Sequence, residues 1–187
     1  MKKRILMACL FLVPVAAWAI YKPMRVLVPE LVSGITCKSE TICIDDISRY
    51  PEALKLYEEA VNFVDSSVGN LRKKPRVIFC TTVDCFHSFG FKKASASTVG
   101  MSGIVISPGG WKYYYLRHEI IHHLQSERLG VISQWRSPEW YKEGMAYYLS
   151  LDPRKKLSGK YQQYRTKFSQ WYKTGGKEKI WDIPVNL

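Results

Sequence analysis

The chain has 187 residues, 47% of them hydrophobic, with 12 Tyr, 7 Phe and 6 Trp. That is enough apolar material for one globular domain, and it excludes a disordered or low-complexity chain. Net charge is +12, but the basic residues are scattered, grouped only at Arg72-Lys73-Lys74 and Arg154-Lys155-Lys156. No nucleic-acid motif accompanies them, so nucleic acid is not an expected partner, and a solvated face at a membrane or cell-wall surface is the plainer reading.

Residues 1–20 read as a signal peptide or an N-terminal membrane anchor. Met1-Lys2-Lys3-Arg4 is cationic, the 17 residues from Ile5 to Tyr21 carry no charge, and Ala17-Trp18-Ala19 has a small-x-small cleavage pattern. The uncharged run is long for a signal core, short for a full span, and interrupted by Pro14. Cleavage is the preferred of the two. In either case the basic end stays cytoplasmic and the remainder is exported, to the periplasm or the outer face of the inner membrane. Retention of the segment would add membrane association.

Export agrees with the cysteines. Without Cys9, the chain keeps Cys37, Cys43, Cys80 and Cys85, an even number in an oxidising compartment. Proximity favours Cys37–Cys43 and Cys80–Cys85 among three connectivities. A second zinc site of four thiolates is the alternative, but Cys-x-x-Cys spacing is absent.

Residues 21–47 read as an extended lead-in, because Pro23, Pro29 and Gly34 prevent a long helix. Pro51 sits where a first helical turn starts, and Leu54, Tyr57, Val61, Val64 and Val68 follow at steps of three and four, predicting an amphipathic helix closed near Gly69. Arg76-Val77-Ile78-Phe79-Cys80 predicts a strand, and Ser102-Gly103-Ile104-Val105-Ile106-Ser107 a second, ended by Pro108-Gly109-Gly110.

A helix from Trp111 to about Arg128, closed by Gly130, carries His118-Glu119-Ile120-Ile121-His122. Residues four apart share a helix face, so His118 and His122 can aim two imidazoles at one metal ion. Glu119 is rotated by about 100° from His118, near enough to reach a water on the metal without ligating it. A catalytic zinc needs a third protein ligand and one open position. Glu143 is the candidate, in Pro138-Glu139-Trp140-Tyr141-Lys142-Glu143-Gly144-Met145-Ala146, on a second helix that Pro138 opens after a connection at 131–137. Gly144 and Ala146 are small enough for this helix to approach the first closely. His123, about 140° from His118, is a poor ligand, and His87 has nothing to place it at the site. Tyr161, Tyr164, Phe168 and Trp171 form a third amphipathic pattern, closed by Gly175-Gly176.

The pairing of His-Glu-x-x-His with a later Trp-x-x-Glu-Gly-x-Ala segment resembles the gluzincins, the thermolysin-like zinc metallopeptidases, and is most similar to small bacterial members. The resemblance covers roughly residues 76–154. It implies an α+β, zincin-like domain over 48–187, with a short mixed sheet packed on an active-site helix and a following Glu-bearing helix. It implies Zn²⁺ held by His118, His122 and Glu143, Glu119 as general base, and a protein or peptide substrate. Strand 102–107 would edge the cleft and pair with that substrate. Tyr147, four residues after Glu143, would stabilise an oxyanion, a role that gluzincins give to a Tyr or His. Two other readings stand beside this one: a zinc-binding scaffold without activity, and a basic envelope protein that binds an anionic polymer.

Overall fold

The computed structural model describes Trp18 and residues 20–183. Most of the signal or anchor reading falls outside those residues. Within them, no helix is long and apolar enough to cross a membrane.

The chain folds as α+β around a five-stranded mixed sheet in the order β1-β2-β3-β5-β4. The strands are β1 (Thr36–Cys37), β2 (Ile42–Ile44), β3 (Val77–Phe79), β4 (Ala96–Val99) and β5 (Gly103–Ile106). β2, β3 and β5 run parallel in the centre, with β1 and β4 antiparallel at the two edges. The central strands are consecutive apolar residues, all buried. Such runs, rather than alternation, are what a sheet covered on both faces requires.

One face carries Ile42, Ile44, Val77, Phe79, Ile104 and Ile106 into the main core. Helix α1 (Tyr50–Ser67) crosses this face between β2 and β3, with Pro51 in its first turn and Ala53, Tyr57, Ala60, Val61 and Val64 buried. Helix α3 (Tyr113–Leu129) adds Leu116, Ile120, Ile121 and Leu124 to the same core. It ends where Gly130 adopts φ +81°, a conformation that side chains disfavour. The opposite face, with Cys43, Ile78 and Val105, is covered by Val26, Phe86 and Phe89. Phe86 lies on the short helix α2 (Val83–Ser88).

Val26 comes from the segment expected to be extended. Two 3₁₀ turns, Lys22–Leu27 and Pro29–Leu31, occupy it instead, followed by the β1–β2 hairpin. Prolines forbid a long helix but not a single 3₁₀ turn, since each sits in the first turn where no intrahelical donor is lost. Both disulfides expected from proximity are present, Cys37–Cys43 across the hairpin and Cys80–Cys85 between the end of β3 and α2.

After α3, residues expected to form a connection make a short helix, α4 (Val131–Arg136), with no buried residue. Helix α5 (Glu139–Leu149) follows, capped by Pro138, then α6 (Tyr161–Trp171), which runs into a turn at Tyr172–Gly176. The small residue Gly144 proves to face α6, not α3. A Cβ there would lie 2.4 Å from the Tyr164 carbonyl oxygen and 2.7 Å from Phe168 Cβ.

Candidate metal centre

Helix periodicity places His118 and His122 one turn apart on α3, with Nε2 atoms 3.1 Å apart. Glu143 on α5 brings Oε2 to 3.6 Å from each of those nitrogens. Together the three form a group of potential metal ligands. The triangle tests whether zinc fits. Bonds of about 2.0–2.1 Å at tetrahedral angles put ligand atoms about 3.3–3.4 Å apart, and the observed edges of 3.1 and 3.6 Å bracket that spacing. Two imidazoles and one carboxylate are a donor set that suits zinc.

The charges of the three groups complement one another. Burial opposes protonation of His122, but the Glu143 carboxylate beside it outweighs burial and raises the imidazole to about 9. Burial likewise works against the Glu143 charge, yet the two imidazoles hold its carboxyl far below the usual carboxylate range.

A second layer of contacts orients these groups, and sequence reading missed it. Gln125, fully buried, presents Oε1 2.9 Å from His122 Nδ1, while its Nε2 donates to the Lys142 carbonyl and reaches Met145 Sδ at 3.2 Å. With the amide nitrogen engaged on α5, Oε1 must accept from His122, so Nδ1 carries a hydrogen and Nε2 faces the metal position. The only hint in sequence was the i, i+3 spacing from His122. Glu119 receives a hydrogen bond from Thr98 Oγ1 at 2.6 Å, and the same hydroxyl lies 3.0 Å from the Glu119 carbonyl oxygen. Thr98 belongs to β4, and no local pattern in the sequence links it to α3.

His118, Glu119, His122, Glu143 and Tyr147 all line one cleft of about 670 Å³. The Tyr147 ring packs edge-on against His118 at 4.4 Å between centroids. Burial, reinforced by Glu143, pushes its phenol up to about 12, so it remains a hydrogen-bond donor through the neutral range. The strand that borders the cleft is β4, whose Ala96, Ser97 and Thr98 line it. β5, the strand expected there, is sandwiched between β3 and β4 and has no free edge. Four apolar residues in a row mark a central strand, whereas the more polar Ala96-Ser97-Thr98-Val99 suits an edge.

His123 lies outside the site. It is fully buried, with Nε2 3.0 Å from the Lys73 carbonyl oxygen and 3.5 Å from Glu127. His87, on α2, does not line the cleft. No family model, curated protein or solved structure matches the chain.

Proposed function

We propose that this protein is a zinc-dependent metallohydrolase, exported and acting on peptide bonds, with His118, His122 and Glu143 as metal ligands and Glu119 as general base. The observation that carries the reading is the convergence of three potential ligand atoms from two helices beside a second carboxylate, Glu119, that stands outside that group, in a cleft open to solvent. Zinc bound there would polarise a carbonyl and lower the pKa of a water towards ~7.

The chain's own residues supply the rest. Glu119, held by Thr98, takes a proton from the attacking water and passes it to the leaving amine. Tyr147 donates from its phenol to the oxygen on which negative charge develops. The outer edge of β4 offers backbone donors and acceptors to an extended peptide. Two disulfides support an oxidising compartment.

The test is metal analysis of the purified protein together with cleavage of a mixed peptide library, read by mass spectrometry, with and without chelator. The expected result is one zinc per chain, most of it lost in His122→Ala and Glu143→Ala, and cleavage that chelator abolishes. Full zinc occupancy in both variants would end the ligand assignment.

A further inference from the structure

Beyond the metal, the cleft is cationic. Arg154, Lys93 and Lys142 line it, and the carboxylates lining it are the two already engaged, Glu119 and Glu143. Arg154 differs from the two lysines in being built into place. Asp152, whose side chain is 2% exposed, accepts from its Nε at 2.9 Å and also pairs with Nη2. Nη1 donates to the Tyr115 hydroxyl at 3.2 Å. The guanidinium carbon lies 4.9 Å from the Tyr115 ring centroid, 5.5 Å from Tyr114 and 5.8 Å from Tyr147. Such a cage fixes the fork before any ligand arrives and so lowers the entropy cost of using it.

The fork is not exhausted by these contacts. A guanidinium has five N–H donors. Asp152 occupies one at Nε and one at Nη2, and Tyr115 occupies one at Nη1. One N–H on each terminal nitrogen has no acceptor among the described residues. Two such donors are what a planar carboxylate accepts in bidentate fashion. The Tyr147 ring neighbours both groups, 5.8 Å from the guanidinium carbon and 4.4 Å from the His118 ring, so Arg154 lies within about 10 Å of His118, a span that up to three extended residues at about 3.5 Å each cover.

We propose that Arg154, with Tyr115, forms a carboxylate-binding subsite of this cleft, and that the substrate is a peptide bearing a free carboxylate within about three residues of the scissile bond. The substrate part of this inference rests on the hydrolase reading; the subsite itself does not. The carboxylate comes either from a C-terminus or from an acidic side chain.

The test titrates the full chain with three dipeptide probes by calorimetry, in metal-free and zinc-loaded protein: acetyl-Gly-Leu with a free C-terminus, its C-terminal amide, and acetyl-Glu-Leu-amide. Zinc content is measured in parallel. The expected result is that one carboxylate probe binds at least ~10-fold more tightly than the neutral amide. Arg154→Gln should erase that preference while leaving zinc content unchanged. The probe that shows the preference names the source of the carboxylate. Equal binding of all three probes to the wild type overturns the subsite, and so does a preference that survives in Arg154→Gln, which would assign it to Lys93 or Lys142. If Arg154→Gln unfolds because Asp152 is left unpaired, the double variant Asp152→Asn/Arg154→Gln carries the same comparison with a neutral pair. Absence of zinc and of any peptide cleavage, with the carboxylate preference intact, removes the hydrolase reading and leaves the subsite standing. Cleavage indifferent to a carboxylate does the reverse.

Discussion

The side chain of Gln125 touches both halves of the His118/His122/Glu143 group: Oε1 lies 2.9 Å from His122 Nδ1, and Nε2 donates at 2.9 Å to the Lys142 carbonyl, one residue before Glu143. One buried amide therefore fixes the tautomer of His122 on α3 and ties α3 to α5, which brings Glu143. Partners of this kind typically contribute 10–100-fold to metal affinity. Gln125→Leu, which removes the polar groups and keeps the bulk, is expected to weaken zinc binding by about that factor. Competition with a chromophoric chelator measures it, and wild-type affinity in this variant would show the amide to be idle.

Glu119→Gln is expected to keep both zinc and fold while cleavage falls by ~10²–10⁴, the usual worth of a general base. Thr98→Val should give a smaller loss of about 10-fold, because it removes only the hydroxyl that holds Glu119. Zinc content and turnover of a peptide found in the library separate these effects. Equal turnover by zinc-loaded Glu119→Gln would take the base role away from Glu119.

Gly144 directly follows Glu143, and its helix is pressed against α6. An added Cβ would meet backbone at Tyr164 and the Cβ of Phe168, neither of which can swing aside. Alanine is the better helix former by about 0.8–1.0 kcal/mol, but forced overpacking costs about 1–3 kcal/mol. Gly144→Ala is therefore expected to be less stable, with a lower urea midpoint and reduced zinc affinity as α5 shifts. A rise in the midpoint would contradict the packing described for α5 and α6.

Zinc binding should be coupled to proton release. Zinc takes the neutral imidazole, whereas in the metal-free protein the Glu143 carboxylate outweighs burial and raises His122 to about 9. Below that pH the metal must displace a proton from His122. Apparent affinity should rise about tenfold per pH unit from neutrality and level off above about 9. Calorimetry at pH 7 in buffers of different ionisation enthalpy counts the protons, and the expected contribution from His122 is about one per zinc. Affinity that is flat between pH 7 and 9 would mean that His122 is already neutral in the metal-free site.

Local spacing was enough to put His118 and His122 side by side, because a helix turns one repeat into one face whatever surrounds it. Helices at 50–67, 113–129, 139–149 and 161–171 were legible for the same reason, as were the two local disulfides. Long-range pairing was not. Whether 102–107 or 96–99 formed the edge of the sheet depended on which strand lay beside β3, and hydrogen bonds between strands leave no periodic mark at that distance in sequence. The 3₁₀ turns of residues 22–31 escaped notice because they take their worth from covering the second face of the sheet rather than from their own propensity.

The same division runs through the site. Glu143 could be nominated by its segment, but only the packing of α5 against α3 brings it within 3.6 Å of both imidazoles. Arg154 stood in a basic grouping that read as solvated surface, and the fold placed it on Asp152 and Tyr115 inside the cleft. Sequence by itself determined the chemical kit, two imidazoles and a carboxylate at helical spacing. Tertiary structure decided what those groups face, because burial, the Thr98 and Gln125 hydrogen bonds and the cationic wall all come from residues 17 or more positions away from at least one of their partners.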